Sequence, residues 1–380
     1  MNIQRSPILW LAAGLALVAA QPTPPAAYFP PPGDAWERRA PAALGLDSIA
    51  LTHAVAFAVA NENRAPRELD RMLAERFRGP WDEIVGPVKP RGDPNGLVLK
   101  NGYIVAEWGD TRRVDMTFSV TKSFVATTAG LALDRGKITD FQRRAAELVM
   151  DGGFDSSHNA KITWHHLLQQ TSEWEGRLFG KPDSADRRRG VTRTLQAPGT
   201  FWEYNDVRVN RASLALLRVW REPLPLVLKR EIMDPIGASD TWQWHGYRTS
   251  DVDVDGRTVT SVSGGGHWGG GMWISARDLA RFGYLHLRRG RWADRQLLSE
   301  RWLGLALTPC DQNPSYGYMW WLNTGRRQWP SAPEHSFAAL GAGSNVVWVD
   351  PEHDLVVVLR WIEGSAVDET LRRVLAAITD

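Results

Sequence analysis

A serine followed three residues later by a lysine occurs once in the chain, at Ser119 and Lys122. Residues three apart on a helix share a face, so their side chains can touch. A serine hydroxyl becomes a nucleophile when a base removes its proton, and a lysine can do this only as the neutral amine. Burial lowers the pKa of a lysine, and the neighbours Phe118, Val120 and Phe124 are apolar. The pair predicts acyl transfer, although one such spacing is expected by chance in a chain of this length.

Two further segments carry groups that acyl transfer uses. Tyr204 can hold or pass a proton if it lies beside the lysine, and a place in the core or at a rim is its alternative role. Residues 339–343, which include Gly341 and Ala342, precede a predicted strand. A glycine-rich strand edge can bring backbone N–H groups close to a substrate carbonyl.

The elements that must position these residues follow a simple order, with strands near both ends and helices between them. The predicted elements are a helix over 47–61, a hairpin over 96–108, helices over 118–134 and 276–290, strands over 345–349 and 354–361, and a final helix over 367–378. We therefore predict an α/β (α+β) fold. Both chain termini contribute to one antiparallel sheet flanked by helices, with a largely helical insertion. The expected boundaries are 34–136 with 300–380 for the sheet domain and 137–299 for the insertion.

The N-terminus has the pattern of a secretory signal peptide over residues 1–20. Arg5 precedes a 13-residue apolar run that ends in small residues. An uncleaved anchor is the alternative, but thirteen residues are few for a bilayer. The proline-rich segment 21–33 predicts an extended linker. We therefore expect an exported protein, periplasmic or extracellular, with no stable membrane anchor after cleavage.

Composition excludes several function classes. The 380 residues include 45 Lys and Arg against 43 Asp and Glu, a net charge of +2, which gives no electrostatic footprint for nucleic acid. A single cysteine, Cys310, excludes an intrachain disulfide and a cysteine-based zinc site. The 19 tryptophans predict large apolar surfaces in the core or around a pocket. The candidates for a pocket wall are Trp174, Trp202, Trp268, Trp320 and Trp321.

Three other patterns favour structural roles. Residues 264–269 match G-x-G-x-x-G, but more glycines follow instead of a helix, so a close-packed strand beside the cleft is favoured over phosphate binding. His165 and His166 lack the spacing of a zinc motif. The triple arginine 187–189 is expected to be a solvated loop.

Taken together, these segments resemble the serine hydrolases of the penicillin-recognising group, close to class C β-lactamases. The esterase and 6-aminohexanoate-oligomer hydrolase branch is the most similar. The matching segments follow the family's order over about 45–378. They are Ser119 with Lys122, residues 162–172, 204–206, 264–271, 275–280 and 316–321, and the glycine segment before 349–351.

The resemblance implies an acyl-enzyme on Ser119, with Lys122 as base, Tyr204 as proton relay and the N–H groups of Ser119 and Ala342 as oxyanion hole. Two departures from the family stand out. Asp206 lies where the family has an asparagine, so that role passes to Asp206 or is lost. Ala339 begins the motif that is usually Lys-Thr-Gly or His-x-Gly, which removes the cation expected to bind the carboxylate of a penicillin.

We therefore predict a hydrolase that cleaves a small ester or amide without a cofactor or metal and without a nucleic-acid partner. Gly341, Asp206, Trp174 and Trp320 are the candidate substrate-binding residues beside Ala342. One alternative is a β-lactamase or D-aminopeptidase-type penicillin-recognising enzyme. The other is a non-catalytic ligand-binding domain on the same scaffold.

Overall fold

The computed structural model describes residues 27–76 and 79–379. The helices are α1 Ser48–Ala60, α2 Leu69–Arg76, α3 Thr121–Asp134, α4 Trp164–Gln169, α5 Asp206–Trp220, α6 Leu224–Leu228, α7 Ala276–Leu287, α8 Glu300–Ala306 and α9 Val367–Ala376. The strands are β1 Asn95–Lys100, β2 Tyr103–Trp108, β3 Asp115–Met116, β4 Arg177–Leu178, β5 Lys181–Pro182, β6 Gln243–Val254, β7 Arg257–Val262, β8 Gly271–Ile274, β9 Arg291–Trp292, β10 Arg295–Gln296, β11 Trp321–Leu322, β12 Phe337–Gly341, β13 Asn345–Asp350 and β14 Leu355–Arg360.

The largest sheet joins the two ends of the chain, as predicted. Its strand order is β11-β12-β13-β14-β1-β2, and all of its pairs are antiparallel. The register of β1 on β14 runs from Asn95 opposite Arg360 to Lys100 opposite Leu355. All six residues of β13 and all six of β14 are buried. Strands buried on both faces need cover on both sides, which explains their nearly continuous valine and leucine sequence.

Helices supply that cover. Helices α1 and α9 pack with one face of the sheet in a single apolar cluster, which includes Val98, Trp348 and Leu371. Helix α7 packs across β13, β14 and β1 on the other face. Its closest approach is at Gly283, where a methyl carbon would lie 2.7 Å from Val347 Cγ1. The glycine therefore sets the distance between helix and sheet.

A second antiparallel sheet corrects the predicted insertion. Its order is β3-β8-β6-β7, so the middle of the chain is not mostly helical up to residue 299. Helix α7 also falls inside the predicted insertion, although it packs on the main sheet. Strand β6 lies where the sequence predicted helical structure, and sequence order alone could not show which sheet would receive α7. Strand β3, which pairs with β8, leads directly to Ser119.

The second half of the predicted linker is also part of the fold. Tyr28 stacks on Tyr103 with ring centroids 4.1 Å apart, and Arg281 donates hydrogen bonds to the carbonyls of Pro31 and Gly33. Ordered packing therefore begins before residue 34, because the aromatic residues between the prolines find partners on the sheet domain. The predicted signal peptide, residues 1–20, lies outside the described residues. Within the described ranges no helix is long and apolar enough to cross a membrane.

The contact between α7 and the sheet generates a stability prediction. Gly283→Ala places a methyl group against the stiff side chains of Val347 and Val356, so the free energy of unfolding is expected to fall by about 1–2 kcal/mol. Gly304→Ala in α8 is the matched control, because nothing lies within 4 Å of its added carbon. In this variant the higher helix propensity of alanine is expected to raise the free energy of unfolding by about 0.5–1 kcal/mol. Urea denaturation of both variants measures the difference, and equal effects would contradict this account of the packing.

Candidate active site

Ser119 lies in a single 3-10 turn, Phe118–Val120, between β3 and α3. Thr117 donates two hydrogen bonds to the carbonyl of Met272, of 3.0 Å from its backbone N and 2.9 Å from Oγ1. Phe118 has a φ of +50°, a conformation that is unfavourable for a bulky residue. Its ring packs edge-on against Trp361. The neighbouring strand and this packing therefore hold the turn in a strained shape, as is common at functional sites.

The structure brings Ser119, Lys122 and Asp206 together. Nζ of Lys122 donates a hydrogen bond of 2.9 Å to Oγ of Ser119 and lies 2.6 Å from Oδ1 of Asp206. The Lys122 and Asp206 side chains are only 1% and 4% exposed, so water screens their attraction little. Of the two residues that follow Tyr204, it is Asp206 that reaches the lysine. Asn205 instead caps α5 by accepting a hydrogen bond from the backbone N–H of Arg208.

The ion pair overturns the expectation that Lys122 is a neutral amine. Burial is the largest single influence on the Lys122 ammonium and lowers its pKa, but the charge of Asp206, its hydrogen bond and the neighbouring Tyr204 together outweigh burial, so the pKa lies above its ordinary value. Burial likewise raises the pKa of the Asp206 carboxyl, and the positive charges of Lys122, His267 and Arg188 together reverse this, so the net direction is downward. Both groups are therefore charged at neutral pH, and Lys122 rests as a hydrogen-bond donor to Ser119.

Tyr204 lies beside this pair. The centroid of its ring is 4.6 Å from Nζ of Lys122 and 4.7 Å from the guanidinium carbon of Arg188. Trp321 stacks against the same ring at 5.8 Å. Two positive charges thus face the ring of one phenol, which is the geometry of cation–π contacts. The structure thus places all three candidate catalytic residues, Ser119, Lys122 and Tyr204, in one cluster.

A buried ionic network fixes the segment that carries Tyr204. Glu203, the residue before it, is bonded to the guanidinium groups of Arg193 and Arg208. The same two arginines bind Glu173, at 2.6 Å in each case. Both glutamates are buried, and two arginines neutralise them. Because breaking such a network leaves an uncompensated buried charge, the loop before α5 is held in one position.

The end of β12 supplies a candidate oxyanion site. A methyl carbon at Gly341 would clash with the carbonyl oxygen of Thr117 and would lie 3.2 Å from the backbone N of Ser119. Only glycine permits this approach. Ala342 follows, and it lines the same cavity as Ser119. Ala339 is fully buried in β12 and presents no cation there.

These groups line a cavity of about 990 Å³. Its walls include Trp202, Trp268 and Trp321, together with an apolar group from α2, the 3-10 turn at Ser119 and β12. That apolar group consists of Met72, Leu73, Phe118 and Leu340. The volume is large enough for a small organic ligand.

Two tryptophans from the sequence prediction do not belong to the cavity wall. Trp174 is buried and donates a hydrogen bond to the carbonyl of Gly153. Trp320 is fully buried between Phe282 and Phe337. Composition identifies large apolar residues, but it does not show which of them face a cavity. Trp174 and Trp320 are therefore core residues, and their assignment to substrate binding was wrong.

The triple arginine lies in a loop, where Arg188 and Arg189 are exposed, and all three of Arg187, Arg188 and Arg189 also line the cavity. Arg187 pairs with Asp183 and Arg188 with Asp186. Their position in the sequence could have indicated this, because they lie in the loop that connects two segments matching the family, 162–172 and 204–206. Asp186 lies in the same connecting loop and His267 in the glycine segment 264–271, and both are also cavity residues that the sequence analysis did not single out.

One group of side chains in the cavity could offer ligands to a metal ion. Ligand atoms of Asp186, Asp206 and His267 lie within 4.8 Å of one another, and all three residues are buried. Lys122 and Arg188 already neutralise the two carboxylates. The local charge is therefore balanced by protein groups alone.

Two other motifs have local roles. His165 contacts the hydroxyl of Tyr318 through Nδ1 at 2.6 Å, and His166 Nδ1 accepts a hydrogen bond from the backbone of Thr163. In the glycine run, a methyl carbon at Gly265 would lie 2.6 Å from Nζ of Lys122. The run is thus a close-packed wall of the cleft.

Comparison with known proteins agrees with this geometry. A family model described as Beta-lactamase matches residues 97–373. The chain belongs to the beta-lactamase family. This confirms the predicted family and fold, and with them the prediction of a hydrolase of this family.

Individual relatives within the family cover most of the chain. The 6-aminohexanoate-dimer hydrolase of Paenarthrobacter ureafaciens is 24% identical over 300 residues, which are 69% of this chain and 70% of that protein. A crystal structure of a beta-lactamase from Mycobacterium bovis has 21% identity and a TM-score of 0.54, and the match covers 76% of this chain and 95% of the other. A family VIII carboxylesterase has 14% identity and a TM-score of 0.56, over 88% and 98% of the two chains. Family members with this scaffold thus include amide hydrolases, esterases and β-lactamases.

Proposed function

We propose that this family member is a serine hydrolase that cleaves small esters or amides through an acyl-enzyme on Ser119. The observation that carries the proposal is the 2.9 Å hydrogen bond from buried Lys122 to Ser119 Oγ at the surface of the cavity. A nucleophile in contact with a proton-transfer group, beside two candidate oxyanion donors, is the arrangement that acyl transfer requires.

The proton moves through Lys122 and Tyr204 together. Ser119 Oγ attacks the carbonyl carbon and gives its proton to Lys122, while Lys122 passes one of its own ammonium protons to the Tyr204 oxygen. Tyr204 in turn gives its hydroxyl proton to the leaving alcohol or amine as the carbonyl bond to it breaks. Asp206 holds Lys122 in its charged form throughout. This assignment replaces the neutral lysine base with a charged relay.

The N–H groups of Ser119 and Ala342 stabilise the oxyanion of the tetrahedral intermediate, and each is expected to contribute about 3 kcal/mol. Water then attacks the acyl carbon, its proton passes through Tyr204 and Lys122 in the reverse direction to the Ser119 oxygen, and Ser119 leaves as the free hydroxyl. Apart from this water, the proposed steps use residues of this chain.

The cavity favours simple esters and amides over β-lactams. The 6-aminohexanoate-dimer hydrolase and the carboxylesterase among the relatives act on amides and esters by their names. In this chain the strand beside Ser119 presents Leu340, Gly341 and Ala342 to the cavity, with no cation for the carboxylate of a penicillin. Slow turnover of nitrocefin relative to a p-nitrophenyl ester is the corresponding expectation.

Labelling with a fluorophosphonate probe tests the nucleophile. The wild type is expected to be labelled on Ser119, and Ser119→Ala and Lys122→Met are expected to lose at least 99% of the labelling rate, about the 10²-fold that a proton-transfer group contributes. Ser184→Ala is the control, because Ser184 lines the same cavity but is not part of the serine–lysine pair. Circular dichroism verifies that each variant is folded. A folded wild type that is never labelled would instead support a non-catalytic binding domain.

The pH dependence of kcat/KM on a neutral ester tests the charged lysine. In Asp206→Asn the burial of Lys122 remains but the charge that raises its pKa is gone, so the ammonium loses its proton at a lower pH. Because the proposed relay needs the charged form of Lys122, kcat/KM of Asp206→Asn is expected to decline with rising pH at a lower pH than kcat/KM of the wild type. Asp354→Asn, which removes the partner of Arg288 away from the cavity, is the control. A gain of activity at lower pH would show that the neutral amine is the base.

We further propose that the protein is exported, on the strength of the charged and apolar pattern in residues 1–20. The protein recovered outside the cytoplasm is then expected to begin at or near Gln21. N-terminal sequencing of that fraction is the measurement, and an intact Met1 in exported protein would contradict cleavage.

A further inference from the structure

The charges around the cavity pair off almost completely. Lys122 pairs with Asp206, and Arg188 pairs with Asp186. Arg187 is bound by Asp183, and Glu203 is neutralised by its two arginines. These contacts satisfy the charges within the protein, so they leave little attraction for a charged ligand.

Arg189 is different. It is exposed at the cavity, and within the described ranges its guanidinium forms no ion pair. Its backbone N–H donates to Glu203 at 3.2 Å, which ties the residue to the fixed segment before Tyr204. Its guanidinium carbon lies 5.7 Å from the ring centroids of both Phe201 and Trp202. The aromatic contacts leave its N–H groups available to an anion.

A continuous line of groups connects this cation with the nucleophile. Trp202 contacts Tyr204 with ring centroids 6.2 Å apart, and Tyr204 lies 4.6 Å from Lys122 Nζ. Lys122 is in turn bonded to Ser119. A ligand whose carbonyl lies at Ser119 can therefore extend along the face of Trp202 and place its far end at Arg189.

We propose that Arg189 binds a carboxylate on the substrate, so that the enzyme prefers esters or amides with a carboxylate several bonds from the scissile carbonyl. A guanidinium binds a carboxylate through two parallel hydrogen bonds. In this proposal the cation that binds the substrate carboxylate lies in the loop of residues 184–191. It does not lie at the strand edge, where Ala339 carries no charge. This inference rests on the proposed acyl-enzyme function and names its substrate class.

One other cavity residue could attract the opposite charge. Asp82 lines the cavity and forms no ion pair among the described residues. The substrate set must therefore include a cationic arm. A preference for an ammonium group over a carboxylate would assign recognition to Asp82 and overturn the role of Arg189.

The test compares kcat/KM for p-nitrophenyl esters of three acids of equal chain length, ending in a carboxylate, a methyl ester or an ammonium group. A second set carries the same groups on the alcohol side. The wild type is expected to prefer the carboxylate about tenfold in one of the two sets, and Arg189→Gln is expected to remove that preference. Added salt is expected to weaken it, because the contact is exposed. Arg143→Gln is the control, since this exposed arginine pairs with Glu147 outside the cavity.

Failure of the inference can be separated from failure of the proposed function. Equal rates on the carboxylate and methyl esters, or a preference that survives Arg189→Gln, would overturn the inference while turnover itself supports the hydrolase. If no ester is turned over, calorimetry on Ser119→Ala with the carboxylate-bearing and neutral amides measures binding directly. Tighter binding of the carboxylate compound that requires Arg189 would support the inference, and equal affinities would contradict it.

Discussion

The attraction between Lys122 and Asp206 is the interaction on which the site depends. An ammonium taken out of water tends to lose its proton, and the carboxylate at 2.6 Å prevents this. The charged lysine can then hold the Ser119 hydroxyl and lie over the Tyr204 ring at the same time. Gly265 leaves room for the ion pair, because a Cβ atom at this position would contact both Lys122 and Asp206. One ion pair therefore fixes the charge of the centre and the positions of its nucleophile and its phenol.

The ion pair needs two rigid supports, because its partners come from distant parts of the sequence. Lys122 is held by the turn that follows β3, whose backbone is bonded to β8. Asp206 begins α5, and its backbone N–H donates to Asp186 at 2.7 Å. The buried network of Glu173, Glu203, Arg193 and Arg208 holds the loop before α5 in one position. The same loop carries Arg188 and Arg189 to the cavity, so one segment presents both the proposed catalytic phenol and the charge proposed for recognition.

Much of the fold was predictable from local pattern. Three features lie within a few residues of their predicted bounds. They are the asparagine-glycine hairpin between β1 and β2, helix α7 with its serine cap, and the valine-rich strands near the C-terminus. These features depend on backbone preferences of neighbouring residues, which a single sequence records. The second sheet and the placement of α7 depend on contacts between distant elements, and the predicted insertion was wrong there.

The sequence by itself determined which residues could do chemistry, since the spacing of Ser119 and Lys122 puts them on one helical face wherever that helix lies. Only the tertiary structure decided their charge, because the pKa of Lys122 depends on a carboxylate 84 positions away in the chain. Burial of Trp174 and Trp320 and exposure of Arg189 at the cavity were decided in the same way. Electrostatic fields and solvent access follow distances in space, and chain order does not specify those distances until the elements have packed.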